Sequence, residues 1–330
     1  MKFFWERKLL VSFSTLVMLY LIINLATLFL PHTYSKEIFN IPKVGTILVV
    51  AAHQDDETII AGGGMIQTLK KGGKVYVIYT VDGTTRKPYT TEKEVQKNIM
   101  LREKEASKSL NSIGIPFENI FFLRNENALG LRNISNIELN IQKIFTYIKE
   151  INPDMIFISA YEGGNCDHDM TNYMVVKAAE KANFSKNLIL ESPEYNRYYL
   201  LESVLKRLNK LLIIKCPMPP RFIPSNSRTF TLNMTSGELQ KKLHMFIFFE
   251  SQNPDDLIDR FGYPDQYRYL IDYNYSASPF DPNSSIRYRI CLLIKGGSKS
   301  CSPFYCGMTF DDYKNIYQLL KIHEYENKNI

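Results

Sequence analysis

The chain has 330 residues, 45% of them hydrophobic, which is enough to bury a full core as one large domain or as one domain with an elaborated tail, and too much for a disordered chain. Its 40 Lys and Arg against 34 Asp and Glu leave a net charge of +6, but the basic residues are scattered among the acids instead of forming a stripe, which argues against a nucleic-acid partner. Five cysteines, an odd number, describe no disulfide framework, although Cys301 and Cys306 flank a turn-like segment and could close a small loop outside the cytoplasm.

The first element in chain order is an apolar run from Leu9 to Leu30 that carries no charge and has about the length needed to span a bilayer as a helix. A cleaved signal peptide has a shorter apolar core and a small-residue cleavage motif, so an uncleaved anchor is expected. Lys2, Arg7 and Lys8 precede the run and place the amino terminus in the cytoplasm, with the body on the outer or lumenal side. The expected layout is a short tail over 1–8, a transmembrane anchor over 9–30, a linker over 31–45, a main domain over 46–252 and a C-terminal extension over 253–330 packed on it.

After the linker, strand-like apolar runs near 46–52, 74–81, 119–123 and 155–159 alternate with helical periods near 58–71, 92–113, 136–150 and 170–182. That alternation predicts an α/β fold with a mostly parallel sheet covered by helices on both faces. Gly114 and Pro116 end the second of these helices. Further strands are expected at Leu188-Ile189-Leu190 and Leu211-Leu212-Ile213-Ile214, and a helix from Ser236 to Phe249 with a cap at Thr235 or Ser236. From Asn253 onward, Pro, Asp, Tyr and Asn predict loops and short strands.

Two polar clusters sit just past two of the strands. His53-Gln54-Asp55-Asp56-Glu57 follows Thr46 to Ala52, and Asn165-Cys166-Asp167-His168-Asp169 follows Met155 to Ser159. Residues at the carboxyl ends of strands in an open sheet converge on one site, so the clusters form one composite site. His53, Asp56 and His168 suit a catalytic metal that takes three ligands from His and carboxylate, and Asp55 then serves as general base. An isolated acidic triplet more often caps a helix, where carboxylates are favoured by the helix dipole. His53 before the acids and the Asp167-His168 pair favour the metal, since the chain holds only five His. Gly62-Gly63-Gly64 lacks the spacing of a Rossmann or Walker fingerprint, which disfavours a nucleotide-dependent oxidoreductase and assigns these glycines to close helix packing.

Ala52-His53-Gln54-Asp55-Asp56-Glu57 resembles the first signature of the PIG-L/LmbE family of zinc-dependent sugar N-deacetylases, Ala-His-Pro-Asp-Asp-Glu, and the second cluster resembles its His-x-Asp-His. The likeness continues through Leu101 to Ala106, Phe121 to Leu123, Tyr161 to Gly164 and Ser251-Gln252, over roughly residues 45 to 252. It implies a Rossmann-like three-layer LmbE-like fold, Zn²⁺ or another divalent metal held by His53, Asp56 and His168, and Asp55 as base. Asn165 and Asp167 join Asp55 in the catalytic group, while Glu57, Asp167 and Glu162 are placed to orient ligands. Arg102 resembles a substrate-contact position, with a helix-surface pair to Glu105 as the equal alternative.

Two departures stand out. Gln54 replaces a proline and removes a fixed φ, predicting a less rigid loop. Asn165 stands where the family has a histidine that stabilises the oxyanion, and losing such help costs on the order of 10²-fold in rate or more. The expected activity is removal of the N-acetyl group from an amino sugar or glycoconjugate by a single-pass membrane enzyme. The alternative is a carbohydrate-binding or scaffold module that keeps the fold without the chemistry.

Overall fold

The computed structural model describes residues 12–22, 35, 37–42, 45–84, 91–126, 133–162, 165–194, 220, 222, 227–275 and 315–320. Eight strands form one mixed sheet: β1 (Ile38–Phe39), β2 (Thr46–Ala51), β3 (Lys74–Val81), β4 (Ile120–Asn125), β5 (Met155–Ser159), β6 (Ile189–Ser192), β7 (Phe230–Leu232) and β8 (Gln266–Tyr269). Their order is β1-β7-β8-β6-β5-β2-β3-β4, and every pairing is parallel except those of β8 with β6 and with β7. The described helices are α1 (12–22), α2 (Asp56–Lys70), α3 (Glu92–Ser112), α4 (Ile134–Ile151), α5 (Cys166–Lys181), α6 (Ser236–Phe246), α7 (Pro254–Phe261) and α8 (315–320).

The central strands are apolar without a break because both of their faces are buried. Along β2, Ile47, Val49 and Ala51 enter one core with α2, α3, α6 and α7, while Leu48 and Val50 enter the other with α4, α5 and α8. This is the expected three-layer α/β arrangement. The glycine triplet serves close packing, as its sequence suggested: an added Cβ on Gly62 would meet the Lys242 stem at 3.0 Å, and one on Gly64 would meet the Tyr267 hydroxyl at 2.9 Å. Those neighbours belong to a buried ion pair. Lys242 Nζ donates to Asp265 Oδ1 at 2.6 Å, and the other carboxylate oxygen accepts from Gly64 N and Tyr267 Oη.

Several boundaries differ from those expected. The second cluster does not lie in a loop before a helix at 170; α5 begins at Cys166, because Asn165 caps it and Asp167 and Asp169 favour its first turn. Helix α6 stops at Phe246, though its capping box at Thr235 and Glu238 is where a cap was expected. The short strands β1 and β7 were not anticipated, and β8, inside the expected extension, is part of the main sheet.

Among the described residues no helix is long and apolar enough to cross a membrane. Within the expected span over 9–30, residues 12–22 are helical and exposed, and the others lie outside the described residues, as do the strand expected at 211–214, Cys301 and Cys306.

Candidate metal centre

The sheet places the two clusters side by side. From β2 the chain winds outward through β3 to β4, then returns to lay β5 against the opposite edge of β2, so the winding direction reverses between β2 and β5. Val50 stands opposite Ile158, and the loops leaving the two strands emerge together at such a switch point.

His53, Asp56 and His168 converge there. His53 Nδ1 lies 2.9 Å from Asp56 Oδ2 and 3.1 Å from His168 Nε2, and His168 Nε2 lies 3.1 Å from Asp56 Oδ2. Bonds of about 2.0–2.1 Å to a tetrahedral zinc would put donor atoms roughly 3.3 Å apart, so the triangle has the size of one face of such a site. Two imidazole nitrogens at 3.1 Å repel through their lone pairs unless a proton or a cation lies between them. The donor set, its spacing and its burial therefore fit a divalent metal. His53, whose side chain is 13% exposed, is the one member of the three that keeps appreciable solvent contact.

Carboxylates face the far side of each ring. His53 Nε2 is 3.2 Å from Asp167 Oδ2, and His168 Nδ1 is 3.3 Å from Glu194 Oε1, an ion-pair distance without the alignment of a good hydrogen bond. Burial disfavours the charged form of both rings, but Asp56 with Asp167 raises His53, and Asp56 with Glu194 raises His168 further. Burial also pushes against ionised Asp56, yet the two histidines hold it well below the usual carboxylate range. Both histidine shifts favour a proton on the rings when no metal is bound.

The bend before α2 is fixed from several sides. Asp55 is buried with φ 154°, a sparsely populated backbone conformation, and its N–H donates to Glu57 Oε2 at 3.0 Å. Glu57 thus holds the backbone of Asp55; burial, only partly opposed by the Thr58 hydroxyl, pushes its carboxyl up to about 8. Gln54 is buried and its Nε2 donates to Val81 O at 3.0 Å, so the residue that replaces proline ties the loop to the end of β3 and does not leave it loose.

Arg102 is buried on α3 and reaches the same bend: Nη2 donates to Gln54 O at 2.8 Å and lies 3.2 Å from Asp55 Oδ1, while Nη1 donates to Gly83 O. The helix-surface pair with Glu105 is not formed. Glu105 instead accepts from the backbone and hydroxyl of Ser251, joining two segments whose likeness to the family was visible in sequence.

Asn165 is half-buried, and its Oδ1 accepts from Asp167 N at 2.9 Å as the cap of α5. Glu162 accepts the backbone N–H of Glu194 at 2.9 Å, and its own N–H donates to Asp169 Oδ1. Beside Asp167 a small cavity is walled by Thr80, Val81, Ile137, Thr171 and Met174. Cys166 is disulfide-bonded, its partner outside the described residues. Exposed His244 rests its ring against Phe248 on α6 and the turn after it. Glu194 was missed from sequence; its one signal is an acidic residue just past β6, as the other site residues lie just past β2 and β5.

The sequence profile of the PIG-L family, GlcNAc-PI de-N-acetylase, matches residues 48–179. Over residues 48–179 the chain is similar to the PIG-L family. The match spans both signature clusters, most of β2, β3 to β5 and nearly all of α5. Among solved structures, a deacetylase of the teicoplanin biosynthesis pathway is similar at 15% identity and TM-score 0.50, over 69% of this chain and 100% of that one. The A40926 pseudoaglycone deacetylase Dbv21 is similar at 16% identity and TM-score 0.48, over 68% and 98%. An N,N'-diacetylchitobiose deacetylase from Pyrococcus horikoshii aligns at 17% and TM-score 0.44, over 69% and 84%. At 15% identity the first of these likenesses is one of fold. No curated protein matches the sequence. The PIG-L match over residues 48–179 and the convergent His-Asp-His donors support a metal-dependent de-N-acetylase.

Proposed function

We propose that this PIG-L-like domain removes the N-acetyl group from an amino sugar or glycoconjugate, with Zn²⁺ as the metal. The observation that carries this reading is the triangle of His53 Nδ1, Asp56 Oδ2 and His168 Nε2 at the topological switch point. A divalent metal held by these three supplies a Lewis acid that polarises the amide carbonyl and acidifies a water.

The chain's own groups do the rest. Asp55, fixed by Arg102 and by the strained bend, takes the proton of the attacking water. Asn165 uses its Oδ1 to cap α5, so its amide N–H is the group offered to the developing oxyanion. Asp167 holds His53 through Nε2. Arg102 acts on Asp55 and the loop, and its burial favours this positioning role over direct contact with a sugar.

The membrane anchor over 9–30 belongs to the same proposal. Phe13, Leu16, Met18, Leu19 and Ile22 on α1 are exposed, a surface that lipid would cover. The disulfide at Cys166 supports a domain outside the cytoplasm, where such bonds persist.

The test is acetate release from N-acetylglucosaminyl substrates, with zinc and after chelation. Release is expected with metal and is lost in Asp55→Asn while metal stays bound; normal turnover in that variant would remove Asp55 as base. The second reading, a carbohydrate-binding or scaffold module, is favoured by Asn165, which cannot become an imidazolium. No release from either the parent chain or Asn165→His, each with zinc bound, selects it.

A further inference from the structure

We infer that Glu194 positions His168 for metal binding, and that Ser159 and Glu162 hold Glu194 in place for that purpose. The inference rests on reading His53, Asp56 and His168 as metal ligands.

His168 Nε2 faces Asp56 Oδ2 and His53 Nδ1, so Nε2 is the nitrogen that lends its lone pair. A neutral imidazole then carries its proton on Nδ1. That nitrogen is buried, and a buried N–H needs an acceptor. Glu194 Oε1, 3.3 Å away, is the carboxylate oxygen placed there. His53 is arranged in mirror fashion: its donor is Nδ1 and its far nitrogen, Nε2, meets Asp167. Each ring thus has its own carboxylate to fix its tautomer and its orientation.

The two carboxylates come from different parts of the chain. Asp167 precedes His168 in the first turn of α5, whereas Glu194 lies just past β6. Its position is set from two sides: the Ser159 hydroxyl, at the end of β5, donates to Oε1, and the backbone N–H of Glu194 donates to Glu162 Oε2 at 2.9 Å. Glu162 is tied in turn to Asp169 on α5, the helix that carries His168. A wholly buried glutamate is costly unless it is paired, and the positive or polarised edge of His168 is the partner this arrangement provides.

The experiment measures zinc dissociation constants of the full chain by competition with a chromogenic chelator, together with the visible spectrum of the Co²⁺-loaded protein. The parent, Glu194→Ala, Glu194→Gln and Ser159→Ala are compared, each shown to be folded without metal by its melting curve. Glu194→Ala should weaken zinc binding about 10- to 100-fold and alter the cobalt spectrum. Glu194→Gln, which keeps an acceptor oxygen, should lose less. An unchanged dissociation constant in folded Glu194→Ala overturns the inference; should that variant not fold, weaker binding in Ser159→Ala supports it and unchanged binding in both Ser159→Ala and Glu194→Gln overturns it. Failure of the parent chain to bind zinc instead overturns the functional reading on which this role depends.

Discussion

Arg102 Nη2 lies 3.2 Å from Asp55 Oδ1, and both side chains are buried. The same guanidinium also donates to the carbonyl oxygens of Gln54 and Gly83. Arg102→Met should therefore take a donor away from one carboxylate and two carbonyl oxygens, at a cost of about 3–5 kcal/mol. Urea midpoints of the variant and of the Arg102→Met, Asp55→Asn double variant check this. The double variant should lose less than the sum, since the two groups share one interaction.

Much of this arrangement was legible in the sequence because burial on both faces makes a continuous apolar run. Thr46–Ala51 and Met155–Ser159 are such runs, and polar residues just past them are readable as a site. The strand β8 was hidden for the opposite reason. Its sequence, Gln-Tyr-Arg-Tyr, looks exposed, but Arg268 is buried through an ion pair with Glu191, 77 residues earlier, and by a ring contact with Phe222. No local pattern records such a partner. Strands β1 and β7 are too short to show a period, and Glu194 stands alone after Pro193 without a motif of its own. The start of α5 was misjudged because Asp-His-Asp reads as a loop until Asn165 is seen to cap it.

Gly64→Ala and Gly237→Ala should change stability in opposite directions. Alanine in place of glycine favours a helix by up to about 1 kcal/mol. At Gly237, in the first turn of α6, nothing lies within 4 Å of the added carbon, so the variant should be stabilised. At Gly64 the carbon would stand 2.9 Å from the Tyr267 hydroxyl, which is held at 2.6 Å by buried Asp265 and cannot withdraw freely. Overpacking of this kind costs about 1–3 kcal/mol, enough to reverse the sign. Melting temperatures of the two variants against the parent decide it.

Glu238 links stability to pH. Burial works to raise its carboxyl, but the Thr235 backbone N–H, Lys70 and Gln67 outweigh burial and hold it near 2, below its ordinary value of 4.5. A depressed folded-state value means that stability from the charged form is fully present above pH 4.5 and is lost as pH falls toward 2. Glu238→Gln should be less stable than the parent near pH 7, by about 1 kcal/mol for a weakened capping box. The gap should narrow below pH 4.5. Urea unfolding at pH 7, 5 and 3.5 measures it, and a gap that does not depend on pH would contradict the ionised role.

Asn165 performs two tasks that two substitutions can separate. Its Oδ1 accepts from Asp167 N and caps α5, while the proposed chemistry uses the N–H of the same amide. Asn165→Asp keeps an acceptor for the cap and removes the donor, so its stability should stay close to that of the parent. Its turnover should fall on the order of 10²-fold, since the oxyanion loses a hydrogen bond and meets a negative charge. Asn165→Ala removes both functions and should lose about 1 kcal/mol of stability as well. It should also bind zinc more weakly than Asn165→Asp, because the cap sets the first turn from which Asp167 reaches His53. Rates, melting temperatures and zinc dissociation constants of the two variants distinguish a donor to the oxyanion from a cap alone; equal turnover in Asn165→Asp and the parent would leave Asn165 with the cap only.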